Sequence, residues 1–243
     1  MTFRGLSSHT SWTRWGLAAV AVGITVGATA PRVIDGLVSV AINNPGGLPW
    51  LFERVFAFTA YLAMTGSVVY GLLLSSRILD AIAHRPINFN LHKDLALLGI
   101  GLAAIHGALL MLDASMPFTV TQVLVPGQAP YAPLAVAAGQ VALYLSMIVT
   151  ASFHVRRRLG QRAWRTLHYT TFLAFVGSTA HGIGAGTDSS APWAQWLYTI
   201  SAAVVVFLLV YRIGMAITER GAADRERNAA RTPFAAQPFD QAA

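Results

Sequence analysis

An all-α membrane protein, a six-transmembrane-helix bundle with its N- and C-termini on the cytoplasmic side, is the fold this sequence predicts. Three observations predict it. The 243-residue chain is 55% hydrophobic and only 11% charged, where soluble domains carry about 25% charged residues. Six apolar segments follow one another, several of them reaching the roughly 20 residues that a spanning helix needs. Basic residues gather in alternate connections between those segments, the pattern that sets orientation in a membrane.

The first segment, Trp12–Ala30, follows a cytoplasmic tail of residues 1–11. Arg4, Arg14, the apolar stretch and Ala28-Thr29-Ala30 together imitate a secretory signal with a small-residue cleavage site. Pro31 directly after that site hinders cleavage, so the stretch reads as a retained first span; cleavage would leave five spans in the same orientation. Val33–Ile42 reads as a short interfacial helix on the outer face. The second and third spans are Arg54–Leu79 and Leu91–Leu112. Between Asp113 and Pro133 come Pro117, Pro126 and Pro130, so that connection is a loop or a short re-entrant segment. Leu134–Phe153 is the fourth span, the short Leu167–Ile183 the fifth and Trp193–Ile217 the sixth. Residues 12–217 thus make one membrane domain. Residues 218–243 form a cytoplasmic tail, helical at first and then disordered. Its 26 residues are too few for a nucleotide-binding domain.

With both termini cytoplasmic, 15 of the 17 Lys and Arg residues fall inside, and only Arg32 and Arg54 fall outside. The net charge of +7 follows this topology and calls for membrane lipid, not nucleic acid, as the partner. The expected location is a cell membrane, crossed several times, of the bacterial inner or plasma type. There are no cysteines. That excludes iron–sulfur clusters, thioether-attached haem, cysteine-type zinc sites and disulfides together. Any metal must be held by His, carboxylate or Met.

Four histidines carry the chemistry. His92 and His106 lie 14 residues apart on the third span, and His168 and His181 lie 13 apart on the fifth. At ~1.5 Å of rise per residue each pair spans roughly 20 Å, so one histidine stands near each end of a membrane span. Neutral imidazole is an axial ligand of haem iron, and an ionisable group inside a membrane is costly enough to be functional by default. Both spans run from inside to outside. His92 and His168 therefore share the cytoplasmic depth, and His106 and His181 the outer depth. Two stacked bis-histidine haems, an inner and an outer one, follow.

On an ideal helix, 14 steps of ~100° bring His106 to within ~40° of His92, on one face. The 13 steps from His168 to His181 leave a mismatch of roughly 140°. The fifth span is therefore irregular, with Gly177 as a place for local tightening, or its ligands approach from different quarters. Arg77, Arg85, Lys93, Arg162 and Arg165 are candidates to neutralise the propionates of the inner haem, against a purely topogenic role. Phe172 and Phe175 lie between the two levels, as filling between macrocycles or as core. His9, His84 and His154 read as solvated residues of the positive side. The run Gly182-Ile183-Gly184-Ala185-Gly186 lacks the strand and helix of a nucleotide-binding loop and reads, with Asp188, as a tight outer turn.

Leu91-His92-Lys93, His106-Gly107, Trp164-Arg165-Thr166-Leu167-His168, His181-Gly182 and Gly186-Thr187-Asp188 give the chain its family likeness. Over about residues 50 to 215 it resembles the ferric reductase-like transmembrane domain superfamily, which includes eukaryotic ferric reductases, NADPH oxidases and the bacterial haem subunit MsrQ. The resemblance implies a six-helix cytochrome b that carries electrons from the cytoplasmic to the outer face. Three departures separate it from the named branches. No flavin and nicotinamide domain is present in the sequence. Leu110 stands where the oxidases resemble one another in a further histidine, and His92 is present where MsrQ-like proteins tend to lack one.

The expected function is transmembrane electron transfer through two haem b groups per chain, with no catalytic side chain assigned. The donor is a separate flavoprotein reductase, whose flavin would stand outside this chain, or a membrane quinol. The densest positive patch for docking is Arg156, Arg157, Arg158, Arg162 and Arg165. Two other classes compete: a transporter whose intramembrane histidines handle protons or metal ions, and an assembly subunit with no redox role.

Overall fold

The computed structural model describes residues 47–76, 78, 85–113 and 116–231. The first span Trp12–Ala30, the interfacial segment Val33–Ile42, Arg77, His9 and His84 lie outside the described residues. Every regular element described is helical: α1 (Gly47–Ser75), α2 (Arg85–Leu109) with a 3₁₀ turn at Leu110–Leu112, α3 (Val120–Leu124), α4 (Pro133–Leu159), α5 (Gln161–His168), α6 (Thr170–Ala185) and α7 (Pro192–Arg231). Among the described residues four helices are long and apolar enough to cross a membrane: Leu48–Ser75, Asn88–Leu112, Pro133–Leu159 and Pro192–Asn228.

Helix boundaries differ from the apolar segments for identifiable reasons. α1 begins seven residues before Arg54 and takes in both Glu53, whose carboxylate accepts from His106, and Arg54, which pairs with Asp188. Pro49 fits in its first turn, where backbone N–H groups have no helical acceptor. α4 runs on from Phe153 through Arg156–Arg158 to Leu159, and stops only where Gly160 takes φ +79. That left-handed backbone suits glycine. α7 likewise continues past Ile217 to Arg231, so the start of the tail is a continuous extension of the last helix. The proline-rich connection holds the five-residue α3, started by a capping box between Thr119 and Gln122.

The fifth apolar segment is two helices. α6 has 16 residues, about 24 Å of helix, short of a ~30 Å hydrocarbon core. α5 precedes it across Tyr169. There the Tyr169 N–H donates to the carbonyls of both Arg165 and Thr166 at 3.2 Å, and the Phe172 N–H donates to the Tyr169 carbonyl at 3.1 Å. The three-residue bonds tighten the chain toward 3₁₀ geometry, which turns ~120° per residue in place of ~100°. Thr170 and Thr171 hydroxyls donate to the carbonyls of Leu167 and His168 at the break. The irregularity between His168 and His181 thus sits at Tyr169 and not at Gly177. A Cβ on Gly177 would lie 3.0 Å from the Ala138 carbonyl oxygen, so that glycine serves the close approach of α6 to α4.

α1 packs along α2, and α4 along α6; α2 also meets α4, and α1 meets α6. The four helices form a ring in which α2 and α6 stand on a diagonal, separated by α1 and α4. α7 docks outside on α1. Close pairing rests on small residues: a Cβ on Gly99 would lie 3.1 Å from the Met64 backbone nitrogen and 3.3 Å from the Ala60 carbonyl oxygen. The core between α1, α6 and α7 holds Tyr61, Leu72, Phe175, Ala194, Tyr198, Val205 and Leu208. Phe175 is buried there, its ring centroid 6.3 Å from that of Tyr61, and Phe172 packs against the same cluster. Both phenylalanines are core residues of this layer. Large apolar side chains face outward, among them Leu97, Leu98, Phe207 and Ile217. Such a surface is a liability in water and natural against lipid.

Candidate functional site

The ring of four helices turns two pairs of histidines toward each other. The ring centroids of His92 (α2) and His168 (end of α5) are 6.2 Å apart with planes at 69°. Those of His106 (α2) and His181 (α6) are 6.1 Å apart with planes at 71°. The partners are those that two parallel spans require, His92 with His168 and His106 with His181.

Three of the four rings are oriented through Nδ1. His92 Nδ1 lies 2.8 Å from the Ser67 carbonyl and 3.1 Å from Ser67 Oγ, and Ser67 Oγ also donates to the His92 carbonyl at 3.0 Å. His106 Nδ1 lies 3.2 Å from the Glu53 carbonyl and 2.9 Å from Glu53 Oε1. His181 Nδ1 lies 3.0 Å from the Ala135 carbonyl. A carbonyl can only accept, so each of these Nδ1 atoms donates, and in the neutral ring Nε2 then keeps its lone pair. His168 instead stacks on Trp164, with centroids 5.1 Å apart and planes at 25°. Trp164 Nε1 is buried with no hydrogen-bond partner among the described residues.

Glycines make room for the rings. A Cβ on Gly139 would lie 2.6 Å from His181 Cγ, and one on Gly71 would lie 3.2 Å from His92 Cε1. Tyr198 Oη sits over Gly182, where a Cβ would collide with it. Tyr61 and Thr179 hydroxyls, 3.2 Å apart, tie α1 to α6 beside the core that these helices share with α7.

The spacing of the rings is compatible with a shared ion. An imidazole nitrogen binds a first-row metal at ~2.0 Å, and its ring centre lies ~1.1 Å further on, so two imidazoles on opposite sides of one ion have centroids ~6.2 Å apart. Both observed pairs match that value. Each pair offers only two ligands, and among the described residues no group of three or more His, Cys, Asp or Glu could hold a metal ion. The donor sets therefore fit an ion whose other four ligands come with it, as in a macrocycle, better than a bare ion.

The basic candidates are placed less centrally. Lys93 is exposed, 4.0 Å from Asp94. Arg162 and Arg165 are exposed on α5 and make no ion pair among the described residues. Arg156 lies over the Phe153 ring at 3.8 Å. Asp188, in the turn after α6, pairs with Arg54. Ser67, Glu53, Ala135, Gly71, Gly139 and Trp164 complete the surroundings of the rings. Of these only Trp164 stood in a sequence motif, because the others reach their histidine from helices distant in sequence. No family model, curated protein or solved structure matches this chain, so the reading of the site rests on its geometry.

Proposed function

We propose that this chain is the membrane-embedded electron carrier of a ferric reductase-like oxidoreductase, with one haem b between His92 and His168 and a second between His106 and His181. The observation that carries the reading is the two imidazole pairs, each spaced for one metal ion. Haem so held supplies a one-electron iron couple with no open coordination position. Ser67, Glu53 and Ala135 orient their ligands, Gly71 and Gly139 leave the rings their space, and the apolar outer surface of the bundle keeps water away. The rise along α2 sets the two sites roughly 20 Å apart, near the two ends of a bilayer core. In this reading the bundle has six spans in a bacterial inner or plasma membrane, with both termini cytoplasmic. The His92–His168 site faces the cytoplasm and the His106–His181 site the outer face. A flavoprotein reductase or a membrane quinol delivers electrons inside, and an oxidised acceptor takes them outside. The exposed cations Lys93, Arg162 and Arg165 stand at the end where inner propionates and an acidic partner would meet them.

The test is an optical spectrum of purified protein with a pyridine haemochrome count. Two haem b per chain is the expected result, and a count of zero overturns the reading. One observation favours a second reading, a transporter that moves protons or a metal ion on the same histidines: Glu53 reaches His106 inside the bundle. That reading predicts a colourless protein.

A further inference from the structure

The inference here rests on the haem reading. His106 differs from the other three histidines in touching a carboxylate: its Nδ1 is 2.9 Å from Glu53 Oε1. His92 and His181 are held by uncharged acceptors at Ser67 and Ala135, and His168 by stacking. The His106 and Glu53 side chains are each only 17% exposed, so solvent screens the contact little. The neighbouring Arg54 interacts electrostatically with Glu53 but makes its ion pair elsewhere. Its guanidinium pairs with Asp188 and lies 4.2 Å over the Trp50 ring. Among the described residues Glu53, Asp113 and Asp188 against Arg54 leave this end of the bundle with two formal negative charges in excess. Lys93, Arg156, Arg157, Arg158, Arg162 and Arg165 stand toward the opposite end.

A carboxylate on the far nitrogen of a ligating imidazole fixes its tautomer and orientation and raises its basicity. A more basic ligand, and a negative charge beside it, stabilise ferric iron, which carries one more positive charge than ferrous iron. Hydrogen bonding around the ligands is one of the levers a protein has on haem potential. We propose that Glu53 is a positioning residue for the outer site: it holds His106 with Nε2 toward His181 and makes the haem held there the more strongly reducing of the two. Each site takes up one electron on reduction, ferric to ferrous, and no bond is made or broken. The carboxylate disfavours that uptake at the outer site alone.

The test is a redox titration of the full-length, haem-loaded protein with mediators and dithionite, followed in the haem absorption bands. His92→Ala and His106→Ala assign the two waves to their sites. In the wild type the outer wave is the lower of the two. Glu53→Gln keeps an oxygen that accepts from His106 Nδ1 but removes the charge. It lowers the ferric-to-ferrous ratio of the outer haem about tenfold at fixed ambient potential, ~59 mV upward for a one-electron couple, and leaves the inner wave in place. Glu53→Asp, which restores the charge, moves the wave part of the way back. An outer wave unmoved by Glu53→Gln overturns the proposal, as do two waves that move equally. If Glu53→Gln fails to fold, the wild-type order decides: an outer wave above the inner one overturns the proposal by itself. A wild-type protein without haem overturns the function and this inference together. Two haems with an outer wave indifferent to Glu53 overturn this inference only.

Discussion

Replacing Gly139 by alanine adds one methyl group, and the structure says where it goes. The new Cβ would lie 2.6 Å from His181 Cγ, 2.7 Å from Nδ1 and 3.0 Å from Cδ2, in contact with most of the ring. Carbon atoms settle at about 3.5–4.0 Å, so the ring must retreat by roughly 1 Å. Its Nδ1 bond to the Ala135 carbonyl is 3.0 Å long, and that retreat carries it beyond hydrogen-bond range. The lost bond costs about 0.5–1.5 kcal/mol and the overpacking about 1–3 kcal/mol. Together they outweigh the ~1 kcal/mol that alanine gains over glycine inside a helix. Loss of a group that orients a metal ligand typically weakens metal binding about 10–100-fold. Gly139→Ala should therefore purify with one haem, the inner one, and with lowered thermal stability. Gly71→Ala meets His92 Cε1 at 3.2 Å, needs only a few tenths of an ångström of adjustment and should keep two haems. Gly101→Ala meets nothing within 4 Å and should be neutral or slightly stabilising. Pyridine haemochrome counts and melting curves of the three variants, in one detergent, make the comparison. A Gly139→Ala protein with two haems at wild-type potentials would refute the reasoning, and so would equal haem loss in all three.

Two further outcomes are expected. His106→Ala and His181→Ala should deplete the same haem, and His92→Ala and His168→Ala the other, because the rings stand 6.1 and 6.2 Å apart in those pairs; a redox titration that groups His92 with His181 contradicts the geometry. NADH added anaerobically to the purified, flavin-free protein should leave the haems oxidised, since a nicotinamide delivers a hydride and a bis-histidine haem accepts single electrons. Rapid stoichiometric reduction in that cuvette would reveal a nucleotide site in this chain.

Much of the architecture is local and therefore legible in the chain itself. Long apolar runs imply membrane-length helices, and four of them stand at α1, α2, α4 and α7. Prolines between Asp113 and Pro133 exclude another span there, and only the short α3 forms. The 13-residue step from His168 to His181 does not fit one ideal helix, and the chain indeed breaks at Tyr169. Which residue breaks it was less legible, since the tightening involves hydroxyls and carbonyls over several residues and Gly177 looked the easier hinge. The helices run past the apolar segments at Arg54, Phe153 and Ile217. At the start of α1 the charged residues are accommodated because Glu53 and Arg54 find partners at His106 and Asp188.

The sequence alone determined which residue types are available and how they repeat: apolar helices without cysteine, and four histidines in two steps of 14 and 13 residues. Because parallel spans place equal depths side by side, it also determined which histidine can meet which. What surrounds each ring was decided by the tertiary fold. Ser67 meets His92 across 25 residues, Ala135 meets His181 across 46, and Glu53 meets His106 across 53. No period in the chain encodes those distances. They follow from packing α1 on α2 and α4 on α6, which brings two distant backbones within hydrogen-bonding reach of the imidazoles. The difference between a ring held by a carbonyl and a ring held by a carboxylate arises only there, because electrostatic environment is a property of neighbours in space and not of neighbours in the chain.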